Sequence, residues 1–233
     1  MSKKVKDVKK RKWWFRLLKK LMKCRYKKPR LIYLGDDFKD GSIIISNHEG
    51  TDAPMALEIY VNRKMRMWGA YEMNSGLATL YKYQTRVYYH EKKKWNLHLA
   101  RLFCLIASPL TYLFYRGLNL ISTYKDLRFK KTIDESISTI KNGENVVIFP
   151  EDSTNGYLPQ LENLFKGFIF LAESCEREGV DVPIVVSFFK IKENAYIFDQ
   201  PILYSEVKEK YKTREEIAKY FLLRCNELGR KEI

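Results

Sequence analysis

The 233-residue sequence is poor in the residues that build disulfide frameworks and metal sites. It has only three histidines, and its four cysteines form neither a C-x-x-C pair nor a spacing typical of metal ligands. The absence of such pairs predicts reduced thiols, as in a cytoplasm, and argues against a small disulfide-stabilised secreted domain. We therefore expect no metal site, and we expect Cys104, Cys175 and Cys225 to fill the core while Cys24 lies nearer an interface.

Long apolar runs are also missing. The longest stretch without charge is residues 102–115, between Arg101 and Arg116, and it contains Pro109. A membrane-spanning helix needs about 20 apolar residues. This stretch is therefore interpreted as either a core helix or a helix that dips into one leaflet of a membrane. The start of the sequence has no apolar core followed by small residues, so no secretory signal is expected.

Acidic residues are nearly absent from the first thirty positions, which hold fifteen of the 43 Lys and Arg residues and a single acid, Asp7. Most of the net charge of +15 therefore lies there, and the rest of the chain is close to neutral. Apolar residues recur in this segment at three- and four-residue spacing, with basic residues on the opposite face. The residues predicted to bind a membrane are Trp13, Trp14, Leu17, Leu18, Leu21, Lys19 and Lys20.

This pattern is typical of a helix that lies in the headgroup region of an anionic membrane. The alternatives are a solvated basic tail or an arm that binds nucleic acid. Two adjacent tryptophans and a leucine stripe favour the membrane, so no nucleic-acid partner is expected. The domain prediction is a membrane-association segment at residues 1–30 followed by one catalytic domain at residues 31–233.

In the remaining chain, β-branched runs alternate with segments of helical period, which predicts an α/β fold with a mixed, largely parallel sheet flanked by helices. Residues 77–95 show no clear period and are interpreted as a surface insertion. Leu161 to Cys175 are predicted to line one helix, and Thr213 with Glu216 forms a capping box for a last helix that should stop at Gly229.

Residues 43–54 contain the first candidate site. Three isoleucines predict a buried strand that ends at a polar turn carrying Asn47, His48 and Asp52. Pro54, just after Asp52, predicts the start of a helix. This places His48 on a loop between a strand and a helix, where α/β folds hold their catalytic groups. A histidine base that is oriented by a nearby carboxylate is sufficient to remove a proton from a hydroxyl group.

Residues 149–155, F-P-E-D-S-T-N, form a second loop behind a buried strand. Together the two loops resemble the glycerolipid (lysophospholipid) acyltransferase family, whose marks are N-H-x-x-x-x-D and, about a hundred residues later, F-P-E-G-T-R. The resemblance extends to Phe165-Lys166-Gly167 and to the proline-led strand at Val182-Pro183. It covers roughly residues 30–190, with four landmarks in the family's order.

The resemblance implies the roles of the site residues. His48 would be the general base and Asp52 would orient it, with acyl-CoA or acyl-carrier protein as the acyl donor and no cofactor. Backbone N–H groups around Asp152 and Ser153 are candidate donors to the oxyanion. The residues predicted to bind substrate are Glu151, Asp152, Ser153, Thr154, Asn47 and Lys166.

The sequence departs from the family pattern at both loops. Three residues separate His48 from Asp52 instead of four, and Ala53 stands at the usual position of the acid. In the second loop Thr154 replaces an arginine, the natural clamp for a phosphate monoester. The acceptor is therefore not restricted to lysophosphatidate: a lysophospholipid with a diesterified headgroup, a glycolipid or an amino-lipid hydroxyl fits as well.

The sequence thus predicts a peripheral O-acyltransferase on the cytoplasmic face of the cell membrane, with a lysolipid acceptor and an acyl thioester donor. The alternative is a catalytically silent lipid-binding protein of the same fold, suggested by the shortened spacing and the altered second loop. Acyl-chain length and oligomeric state have no signal in the sequence.

Overall fold

The computed structural model describes residues 13–35, 38–152 and 160–233. The chain divides into two compact units. Of the described residues, the first comprises 18–35, 38–66, 133–152 and 160–233, and the second comprises 13–17 and 67–132.

The helices are α1 (Trp13–Met22), α2 (Asp52–Tyr60), α3 (Leu77–Lys82), α4 (Leu97–Leu118), α5 (Phe129–Lys141), α6 (Gly167–Arg177), α7 (Tyr204–Lys210) and α8 (Arg214–Arg230). The strands are β1 (Arg30–Tyr33), β2 (Ile43–Ser46), β3 (Met65–Ala70), β4 (Ile121–Thr123), β5 (Asn145–Ile148), β6 (Pro183–Lys190), β7 (Ala195–Phe198) and β8 (Ile202–Leu203). A 3₁₀ turn, Tyr71–Met73, and a π-helical segment, Tyr83–Lys92, complete the elements.

The first unit is built on a mixed, largely parallel sheet with strand order β1-β7-β6-β2-β5. Strands β1 and β7, β2 and β6, and β2 and β5 pair in parallel, whereas β6 pairs antiparallel with both β7 and β8. Every residue of β2 and β5 is buried, as expected for central parallel strands covered on both faces. The predicted fold class is confirmed.

Helices α6 and α8 pack within this unit through their apolar faces. The ring of Phe168 in α6 meets the edge of Phe221 in α8, with centroids 5.4 Å apart. The predicted capping box is present: the Thr213 hydroxyl accepts from the Glu216 N–H, and the Glu216 carboxylate accepts from the Thr213 N–H. Helix α8 continues to Arg230, one residue past the predicted stop.

The second unit holds β3 residues from Met67 onward paired in parallel with β4, followed by α3, the π-helical segment and α4. Helix α4 is 22 residues long. Its C-cap residue, Asn119, has a φ of 53°, the left-handed conformation that commonly ends a helix. By length and composition, among the described residues, α4 alone is apolar enough to cross a membrane. Only 17% of its most apolar window is buried, so the interpretation as a core helix is wrong.

Two other local predictions change. Residues 77–92, predicted as a surface insertion, are helical. Leu161 and Leu164 were predicted to lie on the helix that carries Cys175, but α6 begins only at Gly167. The reason is that the backbone before α6 pairs with the loop after β5: Leu164 forms a β-bridge with Glu151.

Helix α1 lies within the predicted membrane segment, from Trp13 to Met22. Trp13, Leu17 and Leu21 are exposed at four-residue spacing, while Trp14 and Leu18 are partly covered. Phe15, which is outside the predicted stripe, is fully buried within the second unit against Phe114, with ring centroids 5.8 Å apart. Residues 1–12 of the predicted membrane segment lie outside the described residues.

Candidate active site

The first loop of the site runs from the end of β2 to the start of α2. Glu49 and Gly50 both have positive φ, 39° and 64°, so the chain reverses within two residues. Glycine adopts this left-handed conformation without strain. Thr51 is the N-cap of α2 and makes no side-chain capping bond, and Asp52 is the first residue of the helix. Asp52 is therefore not the N-cap residue, and it follows His48 by four residues, at the start of α2.

The second loop meets the first because their strands are parallel neighbours. Ile45 of β2 pairs in register with Ile148 of β5, so both strands end at the same edge of the sheet. The His48 N–H donates a 2.9 Å hydrogen bond to Oε2 of Glu151, and the His48 ring lies 5.0 Å from the Phe149 ring at 57°. The two sequence motifs, a hundred residues apart, therefore form one site.

The second loop is held from its other side by the segment before α6. The Phe165 N–H donates to the Pro150 carbonyl at 2.7 Å, and the Asp152 N–H donates to the Asn163 carbonyl at 3.2 Å. The Asp152 N–H, one of the predicted oxyanion donors, is thus bonded to Asn163 in this structure. Ser153 and Thr154, also predicted as site residues, lie outside the described residues.

Glu151 has a role that the sequence did not reveal. Its side chain is only 8% exposed, and it connects the two loops through the backbone of His48. A hydrogen bond to a charged acceptor is stronger than a neutral one, and a buried carboxylate without such donors is costly. Glu151 therefore positions the loop that carries His48.

Asn47 is a positioning residue as well. Its side chain is 2% exposed, its Nδ2 donates to the Phe189 carbonyl at 3.0 Å, and its Oδ1 accepts from the Phe189 N–H at 2.7 Å. These two bonds to β6 hold the loop from behind, and the substrate contact of Asn47 stays a prediction. Ser46, one residue earlier, shares a 2.6 Å hydrogen bond with the buried hydroxyl of Tyr196. Nothing in the sequence signals this contact, because the two residues are 150 positions apart.

The electrostatics of the turn centre on Glu49, which lies on the same polar turn and for which the sequence predicted no role. Partial burial raises the pKa of the Glu49 carboxyl above its ordinary value of 4.5, and the nearby Asp52 carboxylate raises it further. Two acids thus share the loop with His48. The two residues are neighbours on the turn that leads into α2, where the Asp52 N–H donates to the Glu49 carbonyl at 3.2 Å.

The remaining predicted site residues lie elsewhere. Lys166, the N-cap of α6, forms an ion pair with Glu215 of α8 and is exposed. Lys19 pairs with the buried carboxylate of Glu58 in α2 at 3.0 Å, whereas Lys20 is exposed. Within the part of the chain that the structure describes, no three His, Cys, Asp or Glu side chains group closely enough to hold a metal ion.

Comparison with known proteins supports the fold. No protein-family model matches the sequence, and no curated protein is significantly similar to it. Among solved structures, the chain is similar to the 1-acyl-sn-glycerophosphate (LPA) acyltransferase PlsC from Thermotoga maritima. The TM-score is 0.54 at 15% identity, over 96% of this chain and 83% of PlsC. The chain therefore has the α/β fold of an acyltransferase structure, and at this identity the likeness establishes the fold alone.

Proposed function

We propose that this protein is a membrane-associated lipid O-acyltransferase that uses His48 as its general base. One observation carries the proposal: the His48 N–H bonds to Glu151 at 2.9 Å, which joins the two loops whose motifs resemble those of glycerolipid acyltransferases. The fold shared with PlsC supports the same reaction class. His48 is partly exposed at the carboxyl edge of the sheet, where a substrate can reach its ring.

In the proposed reaction, His48 takes the proton from the acceptor hydroxyl while the hydroxyl oxygen attacks the carbonyl carbon of the acyl thioester. The tetrahedral intermediate then collapses, the C–S bond breaks, and the proton returns from His48 to the leaving thiolate. The products are the acylated lipid and the free thiol. Asp52 would orient the imidazole and stabilise its charged form.

The proposed substrates are a lysophospholipid or related lipid alcohol and an acyl group carried by CoA or acyl-carrier protein. Thr154 replaces the arginine of the family motif, so the acceptor need not carry a phosphate monoester. The protein would work as a peripheral protein on the cytoplasmic face of the membrane, and the exposed Trp13, Leu17 and Leu21 of α1 support contact with lipid.

The test is acyl transfer by the purified full chain, with labelled acyl-CoA and a mixture of lysolipids whose products are identified by mass spectrometry. We expect His48→Ala to lower kcat about 10²- to 10⁴-fold, the usual contribution of a general base, with KM little changed. His98→Ala is the matched control and should retain activity within about twofold, because His98 is exposed and belongs to neither loop of the site. Equal turnover by the wild type and His48→Ala would refute the assignment of the base.

A catalytically silent lipid-binding protein is the second candidate, favoured by Ala53 at the position of the family's acid. It predicts that the wild type binds lysolipid vesicles but forms no acylated product with any donor. Asp52→Asn separates the two candidates further. In an enzyme with an oriented base it lowers kcat without changing lysolipid binding, whereas in a silent protein it changes neither.

A further inference from the structure

Helix α4 has the opposite arrangement of side chains from a helix that packs in water. Its buried positions are taken mainly by small or polar residues, among them Ala100, Cys104 and Ser108, at four-residue spacing. Its opposite side, here called the outer face, carries large apolar side chains that are all exposed. The outer face consists of Leu99, Leu102, Phe103, Ile106, Leu110 and Leu113.

The buried side of α4 also makes polar contacts with the neighbouring helical segment. The Ser108 hydroxyl donates to Oε1 of Gln84 at 2.6 Å, and Nε2 of Gln84 donates to the Thr111 hydroxyl at 3.0 Å. Ser108 and Gln84 are both buried. Hydrogen bonds between helices on the inside with large apolar groups on the outside are typical of helices surrounded by lipid. In water an exposed patch of this kind marks an interaction surface.

The two ends of the outer face carry the residues that favour a membrane interface. At the start of α4, Trp95, Tyr89 and Phe103 form one aromatic cluster with ring centroids 4.8 to 5.6 Å apart. Arg116 lies over the Tyr112 ring at the other end, 5.6 Å from its centroid. Amphipathic aromatic rings and basic groups prefer the headgroup level, where they meet anionic phosphates.

The spacing of the charges decides the orientation. Fourteen residues separate Arg101 from Arg116, which is about 21 Å of helix, shorter than the roughly 30 Å hydrocarbon core. If both guanidinium groups stay at headgroup level, the helix lies along the bilayer surface and does not cross it.

We propose that the outer face of α4 is buried in the outer acyl region of an anionic phospholipid bilayer, with the helix parallel to the surface. The outer face of α4 is distinct from the side of α4 that packs on Phe15 of α1, and the proposal does not depend on the proposed catalysis. Vesicle binding can be measured whether or not acyl transfer is found, so failure of one proposal leaves the other standing.

The first test measures partition of the full chain onto phosphatidylglycerol-containing vesicles in 0.5 M NaCl, where the attraction of the basic arm is largely screened. We expect the wild type to remain bound and Ile106→Asp/Leu110→Asp to lose at least about 100-fold in partition, roughly tenfold or more for each apolar side chain. Leu223→Asp is the matched control, since Leu223 is an exposed leucine on helix α8, and it should bind like the wild type. Binding of the double variant within twofold of the wild type would overturn the proposal.

A second measurement avoids the charged substitutions. Ile106→Cys in a Cys24→Ser background, labelled with a polarity-sensitive fluorophore, should shift to the blue on vesicles. Its emission should be quenched more by lipids with a shallow nitroxide than by lipids with a deep one. Stronger deep quenching would overturn the surface orientation in favour of a spanning helix. A lipid-free oligomer of the wild type that dissociates in Ile106→Asp/Leu110→Asp would overturn it in favour of a second copy.

Discussion

Helices α6 and α4 have the same 3.6-residue period, but α6 buries mainly large apolar side chains and α4 buries mainly small or polar ones. Helix α6 buries Phe168, Ile169 and Leu171 in the core of the first unit, and its one exposed residue, Arg177, is charged. Helix α4 buries Ala100, Cys104 and Ser108 and exposes the large apolar side chains of its outer face. A helical period therefore shows that two faces differ, but the neighbours decide which face points inward.

The two helices therefore differ in what covers their large apolar side chains: the protein itself covers those of α6, whereas those of α4 are left exposed. In the first unit, apolar burial can stabilise the fold in water, because the large side chains leave water on folding. On the outer face of α4, the same side chains gain that free energy only when a partner covers them. Stability and membrane binding should consequently respond to different sets of residues.

The largest expected effect is on the stability of the first unit. Phe168→Ala should lower the free energy of unfolding by about 3–5 kcal/mol, because the side chain is fully buried and its loss leaves a cavity. Leu110→Ala, on the outer face, should stay within about 0.5 kcal/mol in lipid-free buffer. Urea unfolding followed by circular dichroism gives both values. A loss of 2 kcal/mol or more in Leu110→Ala would contradict the comparison, since it would mean that the outer face is already packed in water.

A smaller effect is expected where α4 meets α1 inside the second unit. A Cβ at Gly117 would overlap the ring of the fully buried Phe15. Gly117→Ala should therefore cost about 1–3 kcal/mol through overpacking.

The control for Gly117→Ala is the double variant Phe15→Ala/Gly117→Ala in a double-mutant cycle measured by urea unfolding. Removal of the ring removes the overlap, so Gly117→Ala should cost little in the Phe15→Ala background. An equal cost in both backgrounds would show that Gly117 matters for a reason other than Phe15.

The smallest effect is expected at the turn of the site. Because the pKa of Glu49 is raised in the folded state, the folded protein holds this proton more tightly than the unfolded chain. The resulting contribution to stability is present below pH 4.5 and is lost as the pH rises through the folded-state value. Glu49→Gln should therefore stabilise the folded protein at pH 7, by less than about 1 kcal/mol after screening by solvent, and raise Tm slightly. At about pH 4 it should leave Tm unchanged.

The measurement for Glu49→Gln is thermal unfolding at the two pH values, with Glu209→Gln, an exposed carboxylate on α7, as the control. A Glu49→Gln variant that is less stable than the wild type at pH 7 would show that the ionised carboxylate makes a favourable contact in the folded protein.

Much of the site could be predicted because its signals are local. The isoleucine run before His48 and the proline after Phe149 marked two strand-to-helix turns, and parallel strands place such turns at one edge of a sheet. What could not be predicted are the contacts of single side chains across that edge. Glu151 bonds to the backbone of His48 and Asn47 bonds to that of Phe189, and both partners are more than a hundred residues away in sequence.

The sequence by itself determined the alternation of strands and helices, the capping box of α8 and the period of α1, because propensity and apolar spacing act over a few residues. Tertiary structure alone decided that Phe15 is buried while Trp13 is exposed, and that the leucines on the outer face of α4 are exposed. The physical reason is that burial depends on which surfaces the rest of the fold leaves available. Apolar character in the sequence states only that a side chain avoids water, not whether protein or lipid will cover it.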